Sequence, residues 1–249
     1  MADKPLTGKI DPRRIVMRDI PRPSRAVIED FLALTDLAGT VSDAMDELGI
    51  DAAIPAGVLH PMLPGARMVG PAVTVRNIRQ SVPPTLGAME RKSKQADLEA
   101  HNLAEPGDVI VIEGAVDVSS LGGNSCTLGH RQGEAGAIID GATRDVETAR
   151  RLGYPVWARG VSLVTGKWRM ETVAINGPVQ IAGVPVDAGD LVVADDNGVC
   201  IVPRARVAEV LARAQALSAA EDERARDVAA GMSIPDVANK AYFKKIGGK

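Results

Sequence analysis

The chain has 249 residues, 45% of them hydrophobic, enough for one large domain or two small ones around a substantial core. Aromatics make up 2% and the formal net charge is −3 with acids and bases interspersed, which offers neither a stacking platform for bases nor the clustered positive charge of a nucleic-acid footprint. Two cysteines without a C-x-x-C pair argue against a disulfide scaffold or a zinc ribbon. Met1-Ala2-Asp3-Lys4-Pro5 carries no apolar signal segment and no apolar run has membrane-spanning length, so the expectation is a soluble, cytoplasmic protein that contacts neither nucleic acid nor membrane.

Residues 1–24 are rich in Pro, Arg and Asp and read as an irregular N-terminal arm available to a neighbouring subunit. From Ser24 the pattern becomes helical, with Val27, Ile28, Phe31, Leu32 and Leu34 on one stripe. A second helix is predicted over 40–49, with Thr40 as its cap, Gly49 as its stop and Val41, Ala44, Met45 and Leu48 as its buried face. Next come a strand at 72–75, a helix over 83–103, a turn at 106–108 and a buried strand at 109–112. A helix at 126–132, a strand at 137–139, a helix at 145–152 and a strand at 156–158 continue the alternation, which implies βαβ units and parallel pairing.

Beyond Gly160 short β-rich runs appear at 173–175, 179–181, 191–194 and 199–202, separated by turns such as Asn176-Gly177-Pro178 and Asp196-Asn197-Gly198. A charged amphipathic helix runs from Arg204 to about Gly231. The organisation expected is an arm (1–24), one α/β domain with a mixed-sheet core (25–203), and a C-terminal helical extension (204–249).

The chemistry concentrates around Arg144-Asp145. The strand ending at Ile139 is expected to turn at Asp140-Gly141, leaving Arg144 and Asp145 at the mouth of a helix beyond the strand's carboxyl end. Open α/β sheets place ligands there, and a helix N-terminus favours anions. Arg144 can grip a carboxylate through two parallel hydrogen bonds, and Asp145 is a hard oxygen ligand of the kind Mg²⁺ prefers. The plainer alternative makes Asp145 a helix cap and Arg144 its surface partner. Gly122-Gly123-Asn124-Ser125 precedes a helix, and its glycines let backbone N–H groups approach an anion, although it matches no phosphate-loop or dinucleotide motif.

Several fragments recur in a shared order: Thr40-Val41-Ser42-Asp43-Ala44; Gly70-Pro71-Ala72-Val73-Thr74-Val75; Pro106-Gly107-Asp108-Val109; Asp140-Gly141-Ala142-Thr143-Arg144-Asp145; Pro155-Val156-Trp157-Ala158-Arg159-Gly160; and Gly189-Asp190-Leu191 through Gly198 to Pro203. Over roughly 37–203 they resemble the family that joins 4-hydroxy-4-methyl-2-oxoglutarate aldolases to RraA-like regulators of ribonuclease activity. The resemblance implies a single α/β domain of the swivelling β/β/α type, assembled as a trimer or a dimer of trimers with active sites between subunits. It implies Mg²⁺ or Mn²⁺ held by Asp145, a substrate gripped by Arg144, and a substrate loop at Gly122, Gly123, Asn124 and Ser125. The sequence departs from the aldolase pattern twenty-one places before the arginine, where Gly123 stands in place of an acid; a Gly-Gly pair also occurs among decarboxylase-like members.

The activity this implies is carbon–carbon cleavage of a small 2-oxo acid. Retro-aldol cleavage of a 4-hydroxy-2-oxo diacid and decarboxylation of oxaloacetate both pass through a metal-stabilised pyruvate enolate. Two alternatives stay open: a non-catalytic regulator that binds a ribonuclease or another protein, and a lyase or dehydratase acting on a sugar acid at the same metal site. Glu47, Glu221 and Glu223 are candidates for the missing acid or base, against a reading as solvated helix carboxylates. Arg159 is weighed as a pocket residue against a structural ion pair, and Asp195-Asp196 as a metal site against a hairpin turn. Cys126 reads as a packed thiol, and His60, His101 and His130 lack metal-ligand spacing.

Overall fold

The computed structural model describes residues 4–243. Ser24 caps α1 (Arg25–Leu32), its Oγ accepting from the Val27 N–H. The next helix, α2 (Leu37–Glu47), begins earlier than expected. Thr40 lies inside it and donates to the Thr35 carbonyl at 2.8 Å, while Asp36 holds the cap position. Gly49 does close the helix, taking a left-handed φ of 69°.

Short strands β1 (Ala53–Pro55) and β2 (His60–Pro61) lead into the long β3 (Met68–Arg79). The helix expected over 83–103 is two helices, α3 (Pro84–Glu90) and α4 (Asp97–Leu103). Arg91 ends α3 in the left-handed region. The charged run after it has no apolar face to bury, and Lys94 instead bridges to Glu171. Then follow β4 (Val109–Glu113), β5 (Ser119–Leu121), α5 (Gly123–Gln132), β6 (Gly136–Thr143), α6 (Val146–Leu152) and β7 (Val156–Val161). The last part comprises β8 (Met170–Ile175), β9 (Val179–Ile181), β10 (Val184–Val186), β11 (Leu191–Asp195), β12 (Gly198–Val202), α7 (Val207–Ala229) and α8 (Ile234–Asn239).

Two of these elements correct the sequence-based expectation near the site. β6 does not turn at Asp140-Gly141 but runs on to Thr143. Gly141 is needed for closeness: a Cβ there would sit 2.8 Å from the Ala115 backbone. α5 starts at Gly123 rather than Cys126, so the glycine segment is a helix's first turn and not a loop before it.

Among the described residues one mixed sheet has the order β1-β12-β11-β3-β4-β6-β7-β2, with β5 on β6 and β8 on β3; β9 and β10 form a separate hairpin. The strands β3, β4, β6 and β7 pair in parallel, as the βαβ alternation requires. β3 joins the two halves, since its first residues pair antiparallel with β11 and its middle pairs parallel with β4. Side chains of β4 alternate between two cores: Val109 and Val111 face α1, α2 and α7, whereas Ile110 and Ile112 face α4, α5 and α6. Burial on both faces accounts for the continuous apolar runs in these strands.

The arm lies along its own chain. Ile10 and Ile20 are buried, Thr7 bonds to the buried Glu99, and Arg22 clasps Asp108 through two bonds of 2.9 and 2.8 Å. No helix among the described residues is long and apolar enough to cross a membrane.

Candidate functional site

Two parallel strand-to-helix crossings lie side by side and build the site. β5 pairs with the end of β6, and both the Arg144 N–H and the Thr143 hydroxyl donate to the Leu121 carbonyl at 3.0 Å. This fixes the β6–α6 junction, which carries Arg144-Asp145, against the β5–α5 junction, which carries Gly122-Gly123. The fit is close. A Cβ on Gly122 would lie 3.0 Å from both Arg144 Nε and Asp145 Oδ2, and one on Gly123 would lie 3.2 Å from Asp145 Cβ. The two glycines are the residues that let the backbone approach the pair.

Asp145 occupies the residue before α6 with φ 55° and ψ 39°, a left-handed conformation uncommon outside glycine. Its side chain makes no capping bond to its own helix, so a helix-cap role does not describe it. Oδ2 instead accepts from the Gly123 N–H at 2.9 Å and lies 3.5 Å from Arg144 Nε. Among the described residues Oδ1 has no partner, and neither do the terminal guanidinium nitrogens of Arg144. Both side chains are partly exposed, Asp145 at 48% and Arg144 at 30%. The N–H groups of Asn124 and Ser125, in the first turn of α5, have no acceptor within the helix.

These groups face one cavity of about 540 Å³, which brings together every residue of the predicted site: Gly122, Gly123, Asn124, Ser125, Arg144 and Asp145. Lys9, Arg91, Arg151 and Lys167 also line it, and none of the four forms an ion pair among the described residues. Five cations against two carboxylates make this a cationic pocket on a chain of net charge −3. Such a field concentrates small anions.

The second carboxylate is Asp97, which the sequence pattern did not single out. It opens α4, and its Oδ2 accepts from the Ser125 hydroxyl at 2.5 Å. The signal lay in the break between α3 and α4, since an unbroken helix over 83–103 places Asp97 in mid-helix.

The remaining candidate residues lie away from this cavity. Glu47 pairs with Arg213 and Glu223 with Lys240, and Glu221 lines a separate groove with Asp43 and Asp46. Arg159 pairs with Asp140, the structural alternative, and does not line the cavity. Asp195 and Asp196 accept backbone N–H groups of Ala38, Asn197 and Gly65 and so brace a hairpin. Burial pushes the Cys126 thiol up to about 12, which makes it a poor nucleophile. His101 is buried on Glu134 at 2.8 Å, while His60 and His130 are exposed.

No three His, Cys, Asp or Glu side chains converge on a metal-sized point among the described residues. A hard divalent ion that keeps most of its water needs fewer protein ligands, and the open Oδ1 of Asp145 beside a glycine-lined floor suits one.

Comparison with known proteins points to one family. The family described as RraA-like: Aldolase/RraA matches residues 38–201. A Halalkalibacterium halodurans protein provisionally named 4-hydroxy-4-methyl-2-oxoglutarate aldolase is 31% identical over 208 residues, covering 83% of this chain and 89% of that one. Protein DlpA of Legionella pneumophila is 30% identical over 202 residues, 78% of this chain, but the match spans only 30% of its length. The crystal structure of Streptomyces coelicolor RraAS2, described as an unusual member of the RNase ES inhibitor RraA protein family, superposes with a TM-score of 0.67 at 25% identity, covering 86% of this chain and 100% of that one.

Proposed function

The chain belongs to the RraA-like (Aldolase/RraA) family, and from that premise we propose that it is a metal-dependent carbon–carbon lyase acting on a small 2-oxo acid. The observation that carries the reading is the Arg144-Asp145 pair, packed on Gly122-Gly123 with a carboxylate oxygen and a guanidinium edge left open to a cationic cavity. Asp145 is the residue that would hold Mg²⁺ or Mn²⁺. When bound, such an ion supplies Lewis acidity that draws electron density from the keto group.

The chain's own groups do the rest. Arg144 binds the carboxylate or the developing enolate oxygen of the 2-oxo acid through its free N–H fork, an interaction that strengthens as negative charge grows. The Asn124 and Ser125 N–H groups, at the positive end of α5, add fixed dipoles toward the same charge. Lys9, Arg91, Arg151 and Lys167 favour a substrate with a second anionic group, as a 4-hydroxy-2-oxo diacid or oxaloacetate has. In this reading the protein works in the cytoplasm as a homotrimer or a dimer of trimers.

The test is a pyruvate-release screen with Mg²⁺ over branched 4-hydroxy-2-oxo diacids, oxaloacetate and sugar acids. Release from one of the first two classes is expected. The likeness to RraAS2 along most of the chain favours a second reading, a protein-binding regulator. Silence across the whole panel, with a ribonuclease retained on the immobilised protein, would select it.

A further inference from the structure

We infer that Asp97 is the proton carrier of this site, an assignment that rests on the lyase reading above. Retro-aldol cleavage needs a group that takes a proton from the 4-hydroxyl and then returns one to carbon. The cavity lining narrows the choice. Its charged side chains are Lys9, Arg91, Asp97, Arg144, Asp145, Arg151 and Lys167, and among the described residues it contains no His, Glu, Cys or Tyr. Ammonium and guanidinium groups have no lone pair to accept a proton, and a serine or threonine hydroxyl is not basic. Among the side chains that this one chain supplies, two carboxylates remain. Asp145 is committed to the Gly123 N–H and the Arg144 guanidinium on one oxygen, and in the lyase reading it is the residue that would hold the metal. Asp97 has neither engagement.

Its position fits the task. Asp97 is half-buried at the start of α4, on a different element from the Arg144-Asp145 pair, and lines the same cavity. The 2.5 Å bond from the Ser125 hydroxyl fixes Oδ2 and leaves Oδ1 without a protein partner among the described residues. Ser125 belongs to the glycine-initiated first turn of α5, so the proton carrier and the anion-binding N–H groups are set by one short segment.

The step balances as follows. The Asp97 carboxylate removes the proton of the 4-hydroxyl as the C3–C4 bond breaks. The electron pair of that bond enters the 2-oxo acid fragment as its enolate, and C4 becomes a carbonyl carbon. The Asp97 carboxylic acid then delivers its proton to C3, giving pyruvate and restoring the carboxylate. Decarboxylation of oxaloacetate differs, because loss of CO₂ leaves the enolate without any proton being abstracted.

That difference supplies the test. With Mg²⁺ present, exchange of the pyruvate methyl protons for deuterium is followed by NMR, and CO₂ release from oxaloacetate is followed in parallel, for wild-type protein, Asp97→Asn and Asp97→Glu. General acid–base catalysis contributes about 100-fold or more, so Asp97→Asn is expected to lose about that much exchange while CO₂ release falls by less than about tenfold. Asp97→Glu, which keeps a carboxylate, is expected to recover more than about tenfold of the lost exchange. Full exchange in Asp97→Asn overturns the assignment, as does an equal fall in both activities or a Glu variant no better than Asn. Wild-type protein silent in both assays overturns the lyase reading itself.

Discussion

The two ends of α5 handle acidic side chains in opposite ways. At the C-terminal end Glu134 is buried and both of its oxygens are used, by His101 Nδ1 at 2.8 Å and by the Tyr154 hydroxyl at 2.7 Å. Packing there is tight, since a Cβ on Gly129 would lie 2.3 Å from Glu134 Oε2. At the N-terminal end Asp145 and Asp97 each commit one oxygen to the helix's first turn and leave the other open to a cavity. A saturated acid ties α4, α5 and the segment after α6 together, while half-used acids are available to a ligand. One helix thus carries a structural joint at one end and carboxylates open to a cavity at the other.

The comparison predicts that the two ends fail differently. Glu134→Ala leaves His101 and Tyr154 buried without their acceptor and is expected to cost about 3–5 kcal/mol of stability in urea unfolding. The same joint should show in the pH dependence. Burial alone draws the His101 pKa down, but the hydrogen bond and charge of Glu134, together with the charge of Asp97, outweigh it and the pKa is raised. The contribution is therefore full below the unfolded histidine value and is lost as pH rises through the folded one. The urea midpoint should decline over that window in the wild type, and in Glu134→Ala the decline should vanish or reverse, because burial is left to favour the neutral imidazole.

At the other end Arg144→Lys is expected to lower turnover about 100-fold with the unfolding midpoint unmoved, because an ammonium cannot reproduce the planar fork. Gly122→Ala places a methyl 3.0 Å from Arg144 Nε and Asp145 Oδ2. It should cost about tenfold in kcat by displacing the pair, a smaller effect than removing either member. Lys9→Ala is the mildest change, expected to raise KM for a diacid about three- to tenfold while leaving kcat alone, since it removes binding at the rim without touching the reacting centre.

The same contrast separates what the sequence made legible from what it hid. The runs at 109–112 and 137–139 announced buried parallel strands, and the Arg144-Asp145 junction with its glycine partner was identifiable because residue chemistry and fragment order pointed to one place. Positions governed by tertiary pairing were not. Ser119-Ser120-Leu121 is too short and polar to read as a strand, yet it docks on β6 and sets the site's geometry. Gly141 looked like a turn but serves a close backbone crossing. Asp97 stayed hidden because local propensity continued a helix that in fact ends at Arg91, the chain beyond it being held by the bridge from Lys94 to Glu171, 77 residues away in sequence.

The central claim is that Asp145 holds the metal on which cleavage depends. Pyruvate release from the best substrate of the Mg²⁺ screen, measured for wild-type protein and Asp145→Ala with Mg²⁺ or with excess chelator, tests it most directly. The account predicts release only from wild-type protein with Mg²⁺, and a folded but silent Asp145→Ala. Undiminished release by Asp145→Ala in the presence of chelator would contradict it.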